Sequence, residues 1–166
     1  MDAFTLVHVA FSLAGIVSGL AILFGLIAAK RMDGLTAVFL ATTIATSVTG
    51  FFLPAPHFMP SHAIGILSLI ALGSAVVARY PRHLAGAWRK TYVITAAIGL
   101  YFNVFVLIVQ LFRRVPALET LAPTQSEPPF LAAQLAVMAV FVVLTILAVK
   151  KFRSEEPLAR VRTASA

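Results

Sequence analysis

Apolar residues gather into five long runs, at 6–29, 35–53, 62–78, 91–112 and 130–149, separated by short polar or basic links. Each run is close to the roughly 20 residues that carry an α-helix, rising about 1.5 Å per residue, across a bilayer's hydrocarbon core. The pattern predicts an all-α integral membrane protein, a compact five-helix transmembrane bundle over 1–152. The tail at 153–166 has mixed charge, Pro157 and small residues, so it is expected to be flexible and cytoplasmic. The first run is longer than a signal core and follows Met1-Asp2-Ala3-Phe4 with no basic stretch, so it is expected to stay in the protein.

Composition sharpens this picture by exclusion. With 60% hydrophobic and 11% charged residues and a mean hydropathy of +0.97, the chain is too apolar for an ordinary water-soluble domain. The absence of cysteine excludes disulfides, thiolate zinc or iron–sulfur sites, covalently attached c-type haem and a cysteine nucleophile. A net charge of +7 would suit nucleic acid on a soluble domain, but here the basic residues sit between apolar runs. They therefore read as orientation signals that touch anionic headgroups, with membrane lipids and not nucleic acid as the partner.

Those basic residues also set an expected orientation. Lys30 and Arg31 follow the first run; Arg79, Arg82, Arg89 and Lys90 surround the link after the third; Lys150, Lys151, Arg153, Arg160 and Arg162 follow the fifth. The opposite side carries only Arg113 and Arg114, with Asp2, Glu119 and Glu127. The positive-inside rule then puts the amino terminus outside and the carboxyl terminus inside.

Local signals refine the runs. Pro60-Ser61 reads as a stop followed by an N-cap, and Ser126-Glu127-Pro128-Pro129 as the cap and start of the last helix. Tyr80 and Trp88 suit the inner interface. The second run is interrupted by Thr36, Thr42, Thr43, Thr46, Ser47 and Thr49, whose hydroxyls can bond to the preceding turn or to another helix, so it is expected to be interior or a subunit contact. Gly15 and Gly19 have the Gly-x-x-x-Gly spacing that permits close helix approach, within the chain or between copies.

The polar residues that stand out converge on the outer side. His8, His57 and His62 all fall there, whereas His83 falls on the inner side. Imidazole can ligate haem iron, copper or zinc, hold or move a proton, or simply sit at an interface. Asn103 lies inside the fourth run, where an unpaired amide is costly and must find a partner. Gln110 lies two turns further on the same face, and with Thr46 or Ser47 it would line a cavity opening toward His62. The link at 113–129 contains Pro116, Pro123, Pro128 and Pro129, which restrict the backbone and predict an ordered cover or re-entrant turn in place of a floppy linker. Arg113 and Arg114 at its start are expected to pair with Glu119 or Glu127, or to bind a carboxylate, phosphate or haem propionate. No phosphate loop, dinucleotide fingerprint or serine elbow occurs in a suitable context, and no acid lies within a membrane run, which disfavours a carboxylate-driven pump.

The stretches Phe52-Leu53-Pro54-Ala55-Pro56, Pro60-Ser61-His62, Ala87-Trp88-Arg89, Tyr101-Phe102-Asn103-Val104-Phe105-Val106 and 122–130 resemble small bacterial inner-membrane proteins of unknown function, which implies that location. His62, Asn103 and Ala122-Pro123-Thr124-Gln125 are also faintly similar in order to the styrene oxide isomerase family, small oligomeric membrane enzymes that use haem iron as a Lewis acid. That resemblance implies haem b with His62 as its ligand and Asn103 in the pocket. It departs at Leu107, about where the family has a tyrosine, near Ser68, where it has an asparagine, and in an additional helix, so it implies a redox or small-molecule-binding haem protein more than an epoxide isomerase.

The expectation is therefore a haem or small-molecule site near the outer leaflet, with His62, His8, Asn103, Arg113 and Arg114 around the cofactor and His62, His8 and His57 as metal ligands. The alternatives are a noncatalytic accessory subunit of a membrane complex and a protein that binds quinone, lipid or another hydrophobic small molecule. A homo-oligomer or a larger complex is expected in each case, and whether the chain is an enzyme is left open.

Overall fold

The computed structural model describes residues 2–53 and 60–152. His57 and the tail at 153–166 lie outside the described residues. Those described form helices only: α1 (Ala3–Ile27), α2 (Asp33–Gly50), α3 (Pro60–Arg79), α4 (Trp88–Arg114), the short α5 (Pro116–Glu119) and α6 (Pro128–Lys151). Four of them, α1, α3, α4 and α6, are long and apolar enough to cross a membrane. The threonine-rich α2 is not among these four.

The helix bounds differ from the apolar runs because polar termini extend or cut them. Asp2 caps α1 by accepting from the Thr5 amide at 2.7 Å, so the helix starts ahead of its first leucine. Hydrogen bonding to Thr5 also holds the Asp2 carboxyl below the usual carboxylate range. α1 then stops two residues short of its predicted end. Ala29 turns left-handed at φ 56°, its amide donates to Leu26 and that of Lys30 to Gly25, the paired bonds of a Schellman cap. At the other end of the chain, Glu127 occupies the N-cap of α6 without capping it through its side chain. Ser61 lies inside α3, which begins at Pro60, so it does not take the N-cap position expected of it. The link at 113–129 contains the unpredicted turn α5, started by Pro116, whose missing amide hydrogen costs nothing at a first helical position.

α4 is the hub, packing against α1, α2, α3, α5 and α6, while α6 closes back on α1. The middle of the bundle is filled by Leu23, Phe39, Leu40, Leu72, Ala75, Ala96 and Leu100. Gly19 allows this closeness, because a Cβ there would come within 2.8 Å of Phe39 and 2.6 Å of Leu100. The glycine pair of α1 thus serves packing within the chain. Of the four long apolar helices α6 is the least enclosed, burying Gln134, Phe141 and Ala148 at seven-residue spacing and little else.

A polar network binds the end of the bundle where α2 and α4 begin and α3 finishes. Arg79, only 5% exposed, pairs with Asp33 and lies over the Tyr92 ring at 5.3 Å, while the Tyr92 hydroxyl reaches Thr36. Nothing in the apolar pattern announced this network, since Arg79 read only as one of the basic link residues.

Candidate functional site

At the opposite end, the starts of α1, α3 and α6 and the finishes of α2 and α4 surround a cavity of about 990 Å³. That volume is near the top of the range for small-molecule sites. Five of the residues expected at a site, His8, His62, Asn103, Arg113 and Arg114, all line it, as do Gln110, Thr46 and Ser47. Phe51, Phe102, Phe105, Val106 and Phe130 supply apolar wall. The sixth expected residue, His57, is outside the described residues.

The two histidines enter from different helices. His8 Nδ1 is 2.8 Å from Thr49 Oγ1, a contact that joins the first turns of α1 to the last turn of α2. His62, near the start of α3, stacks on Phe51 with ring centroids 5.6 Å apart and planes 19° apart. Both imidazoles are half-buried.

Asn103 has found the partner its burial demands. Its Oδ1 accepts from the Ser12 hydroxyl at 2.8 Å, and its Nδ2 donates to the Ser12 carbonyl at 3.3 Å. The amide is therefore mainly a clamp between α4 and α1, placed in the cavity wall. The hydroxyls of α2 behave as their helical position dictates: Thr46 donates to Thr42, Ser47 to Thr43 and Thr49 to Ala45, each to the carbonyl one turn back. Ser47 also reaches Ser68 at 3.1 Å, which ties α2 to α3.

The mouth is cationic. Arg113 and Arg114 are exposed at the end of α4, and Arg114 Nε donates to Gln110 Oε1 at 3.1 Å. The expected pairing with Glu119 or Glu127 does not form: among the described residues the ion pairs are Arg31–Asp33 and Arg79–Asp33. Glu127 instead folds onto its own loop, accepting from the Thr124 amide and hydroxyl and from the Ser126 amide. Desolvation, the largest single influence, pushes its carboxyl up, but the hydrogen bonds together outweigh it and hold the group below the usual carboxylate range. No described carboxylate lines the cavity.

The proline-stiffened link is an ordered cover, as expected. Gln125, at φ 60°, donates through Nε2 to the Val109 carbonyl at 3.1 Å, and Thr124 and Gln125 reach the cavity. The sequence reading missed the parts played by Ser12, Thr49, Phe51 and Gln125. Only the hydroxyl spacing in α2 hinted at Thr49.

The donor set discriminates between a bare ion and a cofactor that brings its own ligands. Among the described residues no group of three or more His, Cys, Asp or Glu side chains is placed to hold a metal ion. Haem supplies four nitrogens itself and needs only an axial imidazole, an apolar slot and cations for its propionates. Two imidazoles, phenyl walls and two arginines with no described acid beside them fit those needs.

No family model, no curated protein and no solved structure matches the chain.

Proposed function

We propose that the chain is a multi-pass membrane protein of five spans, amino terminus outside and carboxyl terminus inside, whose cavity at the outer end binds haem b or a hydrophobic small molecule of similar shape and charge. The observation that carries this reading is the meeting of His8, His62, Asn103, Arg113 and Arg114 around one apolar-walled cavity. α2 serves as the fifth span on this reading. At 18 residues it is about 27 Å long, near the bilayer core's thickness, and the hydroxyls of Thr36, Thr42, Thr46, Ser47 and Thr49 each donate to the carbonyl one turn back, while the buried Thr43 hydroxyl has no partner among the described residues. The basic links assign the cavity to the outer leaflet, and the resemblance to bacterial inner-membrane proteins suggests that membrane.

In this reading His62 or His8 holds the iron, Arg113 and Arg114 hold the propionates, and the phenyl side chains exclude water from the macrocycle. When bound, haem would supply a Lewis-acidic, redox-active centre. Asn103 keeps α1 and α4 in register, and the Gln125 loop covers the opening. Absorption spectra of the purified protein before and after dithionite, with and without added haem, test it. A Soret band that shifts on reduction is expected. No band after reconstitution would overturn the haem reading.

α6 favours a second reading, that of an accessory subunit or homo-oligomer. Leu131, Leu135, Met138, Val142 and Ile146 are exposed along it, and an apolar groove of about 430 Å³ separates it from α4. Native mass measurement from mild detergent distinguishes this case: a stable multimer supports it, and a monomer without partners counts against it.

A further inference from the structure

We propose that Thr49 fixes the tautomer of His8, and that His8 Nε2 is the nitrogen through which the chain ligates the iron of a bound haem b. This rests on the haem reading of the cavity and says which side chain does the binding and what orients it.

The argument follows the single proton of the Thr49 hydroxyl. Thr49 Oγ1 lies 2.7 Å from the Ala45 carbonyl and 3.3 Å from that of Thr46, and carbonyls only accept. The proton is therefore directed at the α2 backbone, and Thr49 Oγ1 meets any further neighbour with a lone pair. With the proton so placed, His8 Nδ1, 2.8 Å away, is the donor, and this is the tautomer the proposal assigns. In neutral imidazole a proton on Nδ1 leaves the lone pair on Nε2.

A histidine whose Nδ1–H is anchored on an oxygen while Nε2 keeps its lone pair is oriented as metal-binding histidines are, and the anchor raises the basicity of the ligating nitrogen. The surroundings hold the ring in place as well. A Cβ at Gly50 would lie 3.6 Å from His8 Cε1, ordinary van der Waals contact, so the end of α2 packs against the ring. His8 lines the cavity together with the two arginines at its mouth. His62 reaches the same cavity with its ring laid on Phe51, which suits a wall.

The test uses the full chain in detergent with labelled histidine. Long-range nitrogen–proton correlation spectra, recorded without haem on the neutral ring, read the tautomer. Haem titrations followed at the Soret band compare the wild type with Thr49→Val, Thr49→Ser, His8→Ala and His62→Ala. The expected result is an Nδ1–H His8 in the wild type and in Thr49→Ser, with haem affinity kept by the serine variant. Thr49→Val, matched in shape but without the hydroxyl, should lose the tautomer preference and about 10–100-fold in affinity, the usual effect of removing such a partner. His8→Ala should lose more than His62→Ala. An Nε2–H tautomer in the wild type would overturn the proposal, as would unchanged affinity in both Thr49→Val and His8→Ala. A wild type with no Soret band would overturn the haem reading and the ligand role with it. That failure is distinguishable, because the tautomer is measured in haem-free protein.

Discussion

Asn103 grips Ser12 at two points, accepting from its hydroxyl at 2.8 Å and donating to its carbonyl at 3.3 Å across 91 positions of sequence. Gly15, one turn below, makes the approach possible, since a Cβ there would lie 3.2 Å from the Asn103 nitrogen and 2.6 Å from Thr43 Oγ1. Ser12→Ala removes one of the two bonds and should cost about 0.6 kcal/mol, the average for polar contacts between membrane helices, and no more than their maximum of about 1.7 kcal/mol. Asn103→Leu removes both and should cost more. Reversible unfolding in mixed micelles reads the difference, and a stability unchanged by either variant would dissolve the clamp.

Asp33 and Arg79 anchor the other end, with side-chain exposures of 66% and 4%. Asp33→Asn strands a buried guanidinium that retains the Tyr92 ring but no anion. A loss of about 1–2 kcal/mol is expected, between the limits for surface and fully buried pairs. Adding Arg79→Met to Asp33→Asn should cost less than the two single losses combined. Additive losses in a double-mutant cycle would show that the pair is not coupled.

Glu127 makes the cover over the cavity sensitive to acid. Its folded-state carboxyl titrates below the usual range, so the stabilisation it gives the loop is complete above the ordinary carboxylate value and is lost as pH falls through the lowered one. Hydrogen exchange of the Thr124 and Ser126 amides, corrected for its intrinsic pH dependence, should accelerate on acidification in the wild type and stay flat in Glu127→Gln. A flat wild-type profile would contradict this.

Ala29 carries backbone strain that glycine relieves. Its φ of 56° is the left-handed cap of α1, a conformation costing an L-residue about 1–2 kcal/mol. Ala29→Gly gains that amount less the added freedom of the unfolded chain, so a net stabilisation of about 0.5–1 kcal/mol is expected. A lowered thermal midpoint would mean that the cap is not formed as described.

The helical architecture was legible because apolar runs of membrane length leave few other folds, and the cavity residues were legible because depth alone puts His8 and His62 at one end and Asn103 and Gln110 on one helix face. The Asp33–Arg79–Tyr92 network was not, since it joins three helices by pairings that no single helix's periodicity encodes. The mispairing of Arg113 and Arg114 has a related cause. Glu127 is nearby in sequence, but its oxygens are taken by Thr124 and Ser126 in the same turn, a local competition that charge counting does not see. The boundaries moved for equally local reasons, the Asp2 cap and the Ala29 turn.

The central claim, an outer-facing cavity that holds haem, is tested most directly by one labelling rate. The chain has no cysteine, so Val106→Cys places a single thiol in the cavity wall. A membrane-impermeant thiol reagent added outside intact cells should modify it, and prior addition of haem should slow that modification by at least about tenfold, since a seated ligand buries most of the surface it touches. Modification only when the inner membrane face is exposed, or a rate indifferent to haem, would contradict the account.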